Sequence, residues 1–585
     1  MATPKGYVCI VLHSHLPYVL GHGTWPFGSD WLCEAVSETY LPLLRTIEGL
    51  LARGVFAKLS IGITPVLAEQ LADPRLPHFF TEYLTHKRKS AKDDQVAFFR
   101  EGHTHRNLLA IGWEAWFERA RFDYFERYQT DIIGAFRRLQ DLGAIEFLTS
   151  GATHGYLPLL GTQAAVKGQL ETGVESYQKH FHRKPRGIWL PECAYRPKGN
   201  WAFAGHPAPG YRPGLEEMLS SVGIDHFVAD AHLITGQKAR ASYTAKFRPH
   251  SHKLSEISAR ASAITKTEKP RAALGALGAS RVEPRDASVL DIYRVENIES
   301  GEGATVFLRD PEVALQVWSG IIGYPGDPTY IDFHKKHHPG GLRYWAVSGQ
   351  SVDMADKLEY HPVYTSERIV EHAEHFVALC RERLAWAETV VGEPATITVP
   401  FDTELFGHWW FEGPSFLQEV LLRLAADPDI TVSTMEGRVA AAQGDLRAVH
   451  LKEGSWGEEG DHRVWLNEET FWTWPLVHQA EAKLQALVQR ASQSTSEMAH
   501  RVLRQLTRSV ALLESSDWQF LIHTESAKTY AEERVRTHAQ DAQFLSSLVE
   551  ALLQDQTPTE EDLTHLRELE ARDTLFAEVK PLRWA

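Results

Sequence analysis

The sequence predicts an α/β fold built as a parallel barrel. Short apolar segments recur along the chain, and helix-like segments separate them. Most of these apolar segments are continuous rather than alternating, which is typical of parallel strands covered on both faces. Repeated strand–helix units favour a barrel over an open sheet. The predicted strands are 7–12, 56–61, 144–149, 187–190, 224–229, 305–308 and 396–401, with 430–433 as a further candidate.

The helical segments divide the chain into a large barrel and an appendage. The clearest predicted helices are 35–51 and 122–142. We expect a catalytic barrel over 1–451, with a helical insertion at about 75–140, and a C-terminal helical domain over 452–585 that contributes to the active-site groove. A long basic loop covers about 235–290 and is interpreted either as a surface loop or as a lid using Tyr243.

Bulk properties exclude several classes of function. The 585 residues carry a net charge of −15, so the chain has no overall excess of positive charge that could neutralise phosphates. We therefore expect no nucleic-acid partner. The first apolar run, 7–12, is too short for a signal peptide or a membrane span. Four cysteines are scattered without metal-like pairing, which fits a reducing compartment. These observations predict a cytoplasmic protein that does not bind membranes.

Polar and aromatic residues follow several predicted strands at the point where each strand ends. In parallel barrels the active site lies at this edge, at the C-terminal ends of the strands. Glu192 and Asp402 each come directly after an apolar run, and two carboxyls facing a glycosidic bond can act as nucleophile and as acid/base. The alternative for each is to cap a helix or to pair with an arginine such as Arg196.

His13 and His15 are open to more than one interpretation. Alternate residues of an extended segment face the same side, so both imidazoles could bind a metal, with His154 and Asp402 as further ligands. They could equally hydrogen-bond sugar hydroxyls or the nucleophile, or be buried for structural reasons. No second ligand motif accompanies them, so we predict no metal.

Tryptophans in polar, glycine-rich segments point to carbohydrate. Trp456 and Trp465 lie in one such segment, Trp318 precedes another, and Trp409 follows Asp402 in the sequence. Indole faces suit the apolar faces of sugar rings, although a single tryptophan is more often part of a core. No phosphate loop, dinucleotide fingerprint or nucleophile elbow is present.

Taken together, five motifs resemble glycoside hydrolase family 57, and within it the 1,4-α-glucan branching enzymes. They are spread over most of the chain in family order: 13–18 (HSHLPY), 151–156 (GATHGY), 189–195 (WLPECAY), 401–408 (FDTELFGH) and 516–520 (SDWQF). The resemblance implies a distorted (β/α)7 barrel with a helical insertion and a C-terminal helical domain. It also implies a retaining mechanism without cofactor or metal, with Glu192 as nucleophile and Asp402 as general acid/base.

The resemblance further implies which residues contact substrate. These are His13, His15, Trp318, Trp456, Trp465 and Asp517. We add His154 and Trp409 as candidate substrate contacts, and Tyr243 as a candidate counterpart of the family's lid tyrosine. The donor and acceptor would be α-1,4-glucans such as amylose or glycogen, and the protein would act as a monomer. The family loop that carries the lid tyrosine is short, whereas here the corresponding region is long and basic.

Other functions stay open at this point. A 4-α-glucanotransferase or α-amylase of the same family would share the two carboxyls. A metal-dependent polysaccharide deacetylase or mannosidase would use His13 and His15 as ligands. A non-catalytic glucan-binding protein would need neither carboxyl.

Overall fold

The computed structural model describes residues 5–201, 210–236, 287–296, 303–319, 322–349, 351–391, 394–442, 444 and 446–585. Seven parallel strands form its centre. They are β1 (Gly6–Ser14), β2 (Leu59–Ile63), β3 (Ile145–Leu148), β4 (Gly187–Ile188), β5 (His226–Ala229), β6 (Gly303–Leu308) and β7 (Ala395–Asp402). Each corresponds to one of the predicted apolar segments, so those strand predictions are confirmed.

These strands lie in ring order although they divide into two sheets. One sheet has the order β7-β1-β2-β3 and the other contains β6-β5-β4, all paired in parallel. Single parallel bridges join the sheets at both seams, Thr149 to Ile188 and Arg309 to Thr398. The result is a distorted (β/α)7 barrel, as predicted. The strands are buried on both faces, which explains their continuous apolar sequence.

Short additional strands extend this framework. Ile430–Val432 pairs in parallel with β1, which confirms the eighth predicted segment. Ile292–Glu296 runs antiparallel to β6 and pairs with Ala448–Val449. Gly199–Trp201 and Gly210–Arg212 form a small antiparallel pair.

The helices of the first 442 residues surround the barrel or project from it. Those within the described residues are Ser29–Ala35, Leu41–Ala52, Pro65–Leu71, Leu76–Arg100, Thr104–Phe122, Ile132–Asp141, Gln163–Phe181, Leu215–Ser221, His232–Thr235, Pro311–Trp318, Pro362–Glu388, Gly413–Ala425 and Met435–Ala441. Leu76–Arg100 and Thr104–Phe122 pack on each other and supply the helical segment predicted near 75–140.

The single helix predicted over 122–142 is wrong. The α-helix ends at Phe122, a π-helical turn covers Asp123–Arg127, and a new helix begins at Ile132. Gln129 and Thr130 have positive φ, which interrupts the helical backbone. Asp131 then caps the new helix by accepting a hydrogen bond from the Gly134 backbone N–H at 2.7 Å.

The C-terminal region is a helical bundle with its own core. Its helices are Thr473–Ala491, Glu497–Leu513, Asp517–His523, Lys528–Leu552 and Glu560–Arg572. Leu503, Leu506 and Val510 lie on the buried face of Glu497–Leu513, as their spacing predicts. They belong to a hydrophobic cluster separate from that of the barrel.

Polar contacts attach the bundle to the barrel. His22, which follows β1, hydrogen-bonds Asp573 at 2.7 Å, and the Tyr18 hydroxyl donates to the Arg572 carbonyl at 3.1 Å. The isolated bridge from Gly155 to Ser515 joins the loop after β3 to the start of a bundle helix. Within the described ranges, no helix is both long enough and apolar enough to cross a membrane.

Candidate active site

Glu192 lies one turn beyond β4, and both of its carboxylate oxygens are held by donors from the C-terminal region. The Trp456 indole N–H donates to Oε2 at 3.0 Å, and the Ser516 hydroxyl donates to Oε1 at 2.9 Å. The residue is 9% exposed. Burial raises the pKa of Glu192 to about 7; the Asp517 charge adds to this rise, whereas the two donors oppose it. Glu192 is therefore a carboxyl that exchanges its proton near neutral pH.

The backbone at Glu192 has a conformation that side chains rarely adopt. Glu192 has φ +61° and Cys193 has φ +47°, directly after Pro191. Two consecutive left-handed non-glycine residues store conformational energy that the surrounding contacts must offset, and such residues cluster at functional sites. This turn directs Glu192 toward the C-terminal region, where the backbone N–H of Trp456 donates to the Glu192 backbone carbonyl at 3.2 Å.

Asp402 ends β7 and lies opposite His13 in the β1–β7 register. Asp402 is buried. Beside it, the Trp318 ring packs on Phe401 at 6.2 Å between centroids and meets the Trp456 ring edge to face, also at 6.2 Å. The indole that holds Glu192 is thus in contact with the indole beside the end of β7, so these rings connect the two carboxyl positions.

Aromatic rings stack on both sides of the His13 contacts, with His154 and with Trp189. His13 stacks on Trp189 with 4.5 Å between centroids, and its Nε2 lies 3.1 Å from Nε2 of His154. Gly62 opposite makes room, because a Cβ there would lie only 3.2 Å from His13 Nδ1. Burial lowers the pKa of both His13 and His154 well below its ordinary value, with the charge of His15 adding to the effect. Both imidazoles are consequently neutral.

The pKa of His15 shifts in the opposite direction from that of His13. Its Nε2 lies 2.9 Å from Asp517 Oδ1, and its Nδ1 lies 3.0 Å from the Thr64 hydroxyl. Burial lowers the pKa of His15, but the Asp517 carboxylate outweighs this and the net pKa is raised. His15 and Asp517 therefore place an ion pair beside Glu192.

Glu404 is a third buried carboxyl in this region. It lies in the 3₁₀ turn Thr403–Leu405 that follows β7, and its Oε1 accepts hydrogen bonds from the Tyr40 hydroxyl and, at 3.3 Å, from the His15 backbone N–H. The turn is fixed by Gly407 at φ +120°, where a Cβ would lie 1.9 Å from the Glu38 carbonyl oxygen. A side chain at position 407 would therefore displace the whole turn.

The other residues predicted to contact substrate differ in their exposure to solvent. Trp409 is 39% exposed, and its backbone N–H donates to the Glu404 carbonyl at 3.1 Å. Trp465 is 1% exposed and stacks on Tyr156 at 4.4 Å between centroids. Tyr243 lies outside the described residues. The arginine proposed as a structural partner for the acids, Arg196, instead pairs with Glu453 at 3.3 Å.

The sequence reasoning missed Ser516, Glu404 and Tyr40. Ser516 precedes the predicted Asp517, so a signal for it was available in the run 514–517. Glu404 follows Asp402 by two residues in a motif already singled out. Tyr40 carries no local signal, because it reaches Glu404 across 364 residues of sequence.

Three of these side chains could hold a metal ion. His15, His154 and Asp517 each place one ligand atom within 4.8 Å of the others. All four imidazole nitrogens are already engaged: His15 by Thr64 and Asp517, and His154 by His13 and by Ser516 at 3.0 Å. Ligation would therefore require part of this hydrogen-bond network to break.

Two buried carboxyls at strand ends, with indoles beside them, give this α/β barrel the character of an enzyme acting on glycosides. Comparison with known sequences points the same way. The sequence profile described as Glycosyl hydrolase family 57 matches residues 9–440, and that described as 1,4-alpha-glucan branching enzyme, C-terminal, matches residues 476–584. The chain belongs to glycosyl hydrolase family 57.

Full-length relatives agree with these matches. A 1,4-alpha-glucan branching enzyme from Thermococcus kodakarensis is 40% identical over 575 residues, which is 98% of this chain and 78% of the relative. A probable 1,4-alpha-glucan branching enzyme from Mycobacterium tuberculosis is 30% identical and covers 92% of this chain and 91% of its own length.

Solved structures give the same family. The GH57 branching enzyme from Thermococcus kodakaraensis aligns with a TM-score of 0.87 at 38% identity over 99% of this chain and 96% of its own. The GH57-type branching enzyme of Pyrococcus horikoshii gives 0.84 at 38% identity, over 99% and 97%. The alpha-amylase AmyC of Thermotoga maritima gives 0.76 at 26% identity, over 99% of both chains.

Proposed function

We propose that this protein is a 1,4-α-glucan branching enzyme in which Glu192 is the nucleophile and Asp402 the general acid/base. One observation supports the proposal most directly. Both hydrogen-bond donors to the Glu192 carboxylate, Trp456 and Ser516, come from the C-terminal part of the chain. Residues 476–584, which include Ser516, match the C-terminal region of branching enzymes. The part of the chain that resembles branching enzymes therefore contacts the nucleophile itself.

In the first step the donor glucan is cleaved. The Glu192 carboxylate attacks the anomeric carbon, and Asp402 gives its proton to the leaving glycosidic oxygen, which takes the electron pair of the broken bond. The Trp456 and Ser516 donors stabilise the carboxylate form of Glu192 and fix the direction in which it faces. The cleaved segment stays on Glu192 as a glycosyl ester.

In the second step the segment is transferred. The Asp402 carboxylate takes the proton of a glucan 6-hydroxyl, and that oxygen attacks the anomeric carbon and releases Glu192. Water competes for the same ester. A positioned acceptor has an advantage of roughly 7–11 kcal/mol in such reactions. Trp318, which is partly buried, and Trp409 supply indole surface near the end of β7 on which an acceptor chain can stack.

Hydrolysis is the second candidate function, because the alpha-amylase of Thermotoga maritima shares the fold at 26% identity over nearly the whole chain. An amylase would release the same intermediate to water instead of to a 6-hydroxyl. The two functions differ only in product, since both use two carboxyls and a glycosyl ester.

The deciding experiment is to incubate the purified chain with amylose and to count new branch points. Branching is expected to produce α-1,6 linkages, which a debranching enzyme converts into short linear chains, with little gain in reducing ends before debranching. Reducing ends without α-1,6 linkages would instead show hydrolysis. Asp402→Asn, expected to lower the rate roughly 10²–10⁴-fold, controls for contaminating activity.

A chelator arm of the same experiment addresses the metal alternative at His15, His154 and Asp517. The proposed mechanism predicts equal branching with and without EDTA. Loss of branching with EDTA and its return with added Zn²⁺ would favour the metal-dependent alternative. A chain that binds amylose but forms neither linkage type would be the non-catalytic glucan-binding protein.

A further inference from the structure

The turn that carries Trp456 has a strained backbone. It covers residues 454–460, and we call it the indole turn. The Trp456 indole N–H donates to the Glu192 carboxylate at 3.0 Å, so the place of this donor depends on the shape of the turn. Glu459 has φ +59° although it is not a glycine, and Gly460 follows at φ +76°. A non-glycine residue in this region persists only where surrounding contacts hold it.

One carbonyl group closes the indole turn. The Gly460 carbonyl oxygen accepts a hydrogen bond from the Ser455 backbone N–H at 3.0 Å and lies 2.9 Å from Nε2 of His232. Gly454 lies against the same contact, because a Cβ there would be 2.5 Å from the Gly460 oxygen and 3.1 Å from His232 Nε2. His232 is thus packed against both ends of the indole turn.

The contact with Gly460 determines which nitrogen of His232 carries a proton. A carbonyl oxygen only accepts hydrogen bonds, so the proton lies on Nε2. The other nitrogen, Nδ1, has no hydrogen-bond partner among the described residues, since Asp230 Oδ1 lies 3.6 Å away. The side chain of His232 is 11% exposed. His232 therefore acts on the indole turn as a largely buried hydrogen-bond donor.

The barrel holds His232 in place. Asp230 follows β5 and Arg309 follows β6, and their buried side chains form an ion pair at 2.5 Å. His232 begins the short helix that comes directly after this pair. The Lys452 backbone N–H donates to the Leu233 carbonyl at 2.9 Å, which connects the same helix to the segment that leads into the indole turn. The donor on His232 is therefore fixed relative to the ends of the barrel strands.

We propose that His232 is a positioning residue for the nucleophile. By donating to the Gly460 carbonyl it fixes the indole turn, and this turn directs the Trp456 N–H toward Glu192. The proposal rests on the proposed function, because it takes Glu192 to be the nucleophile. No hydrogen bond joins His232 to Glu192 within the described ranges, so the effect of His232 passes through the indole turn.

Replacing His232 by phenylalanine keeps a ring but removes the donor. The Gly460 carbonyl then loses the hydrogen bond from the barrel side, and the Trp456 N–H is held less well toward Glu192. In His232→Phe we expect kcat/KM for branching to fall about tenfold. The loss is expected in kcat, with KM within about twofold of wild type, because the affected contact is made with the nucleophile and not with bound glucan.

Two amide variants test the hydrogen bond itself. The amide nitrogen of a glutamine side chain can take the place of Nε2, so we expect kcat/KM of His232→Gln within about threefold of wild type. The asparagine side chain carries the same amide but is one methylene shorter. His232→Asn is therefore expected to behave like His232→Phe, and it keeps the proposal testable if His232→Phe does not fold.

A double-mutant cycle separates positioning from a general structural role. Trp456→Phe removes the indole N–H, so a residue that acts through this N–H has no further effect on Glu192. In the Trp456→Phe background we expect His232→Phe to lower kcat/KM by less than about twofold. A residue needed only for stability would lower kcat/KM by the same factor in both backgrounds.

His478→Phe is the matched control. His478 is also buried, and its Nε2 lies 3.0 Å from the backbone carbonyl of Leu159, which does not belong to the indole turn. Any loss of kcat/KM in His478→Phe is expected to be the same in the wild-type and Trp456→Phe backgrounds. Thermal unfolding of every variant establishes that the assays are run on folded protein.

Equal factors for His232→Phe in the two backgrounds would overturn the proposal. Equal activities of His232→Gln and His232→Phe would also overturn it, as would a departure from additivity of the same size at His478→Phe. Failure of the proposed function looks different, since wild-type protein would then form no α-1,6 linkages. Branching in the wild type together with an additive cycle rejects only the role of His232.

Discussion

Two clusters of buried carboxyls can be compared among the described residues. One is the active-site cluster around Glu192 and Glu404. The other, Glu481 and Glu514, lies where the bundle meets the barrel, with exposures of 2% and 1%. Burial raises the pKa of both Glu481 and Glu514, and the charge of Glu481 adds to the rise at Glu514.

Their hydrogen-bond partners differ. Both carboxylate oxygens of Glu192 accept hydrogen bonds, one from the Trp456 indole and one from the Ser516 hydroxyl. Glu514 accepts from the Gln169 side chain at 2.7 Å, but its Oε1 has no hydrogen-bond partner among the described residues. Glu481 faces the positive charge of Arg212, whose guanidinium donates to the Leu160 carbonyl at 2.8 Å. Of the two clusters, only the first has a carboxyl group, Glu192, on which hydrogen-bond donors converge at both oxygens.

The comparison shows that a raised pKa does not by itself identify a catalytic acid. Desolvation acts on every buried carboxyl, whether or not it takes part in chemistry. Donors that converge on both oxygens, together with a strained backbone, separate Glu192 from Glu514. Glutamine substitutions at Glu192 and at Glu514 therefore test this distinction.

The largest expected effect is on turnover. Glu192→Gln removes the nucleophile, and we expect branching to fall about 10³-fold or more. Glu514→Gln keeps the shape and the Gln169 contact of a protonated carboxyl, so we expect branching within about threefold of wild type. Debranching of amylose products measures both variants under the same conditions.

Comparable losses in the two variants would contradict this comparison. They would mean that Glu514 acts on Glu192 through Ser515 and Ser516, the residues that connect it to the nucleophile. In that case the two carboxyl clusters would form one functional unit.

A smaller effect is expected on stability. A carboxyl whose pKa is raised by folding binds its proton more strongly in the folded chain than in the unfolded chain. The free energy of unfolding therefore decreases as pH rises from the ordinary pKa of 4.5 toward the folded pKa. Glu514→Gln removes this penalty, and we expect it to stabilise the protein at alkaline pH, with a much smaller effect near pH 5.

Melting temperatures of wild type and variant across this pH range measure the effect. Glu568→Gln is the control, because Glu568 lies on a helix of the same bundle with its side chain 69% exposed. A difference between wild type and Glu514→Gln that does not change with pH would show that Glu514 carries no raised pKa.

The fold was largely predictable because its signals are local. Continuous apolar runs marked each barrel strand, and a carboxyl at the end of a run marked Glu192 and Asp402. Ring closure was not predictable from residues alone, since it depends on single bridges such as Thr149 to Ile188 between separate sheets. The resemblance supplied the number of strands.

The candidate site was predictable only in part. The bond from Ser516 to Glu192 spans 324 residues, and its existence depends on how the bundle packs on the barrel. The break in the helix predicted over 122–142 arises from positive φ at Gln129 and Thr130, two residues whose types tolerate a helix. Backbone conformation at such positions is set by tertiary contacts, which a single sequence does not show.

The smallest expected effect separates two indoles of one glycine-rich segment. Trp456 donates to Glu192 at 3.0 Å, whereas the indole N–H of Trp465 has no hydrogen-bond partner among the described residues. Trp456→Phe keeps a ring but removes the donor that stabilises the Glu192 carboxylate, so the pKa of Glu192 rises. We expect the acid limb of kcat/KM to move to higher pH by about one unit.

Trp465→Phe is the matched substitution, and it removes no donor to a carboxylate. Its acid limb is expected to coincide with that of wild type, whatever the change in rate. If the limb moves equally in both variants, loss of ring volume, not the hydrogen bond, sets the proton affinity of Glu192. If it moves in neither, the Ser516 hydroxyl alone stabilises the Glu192 carboxylate.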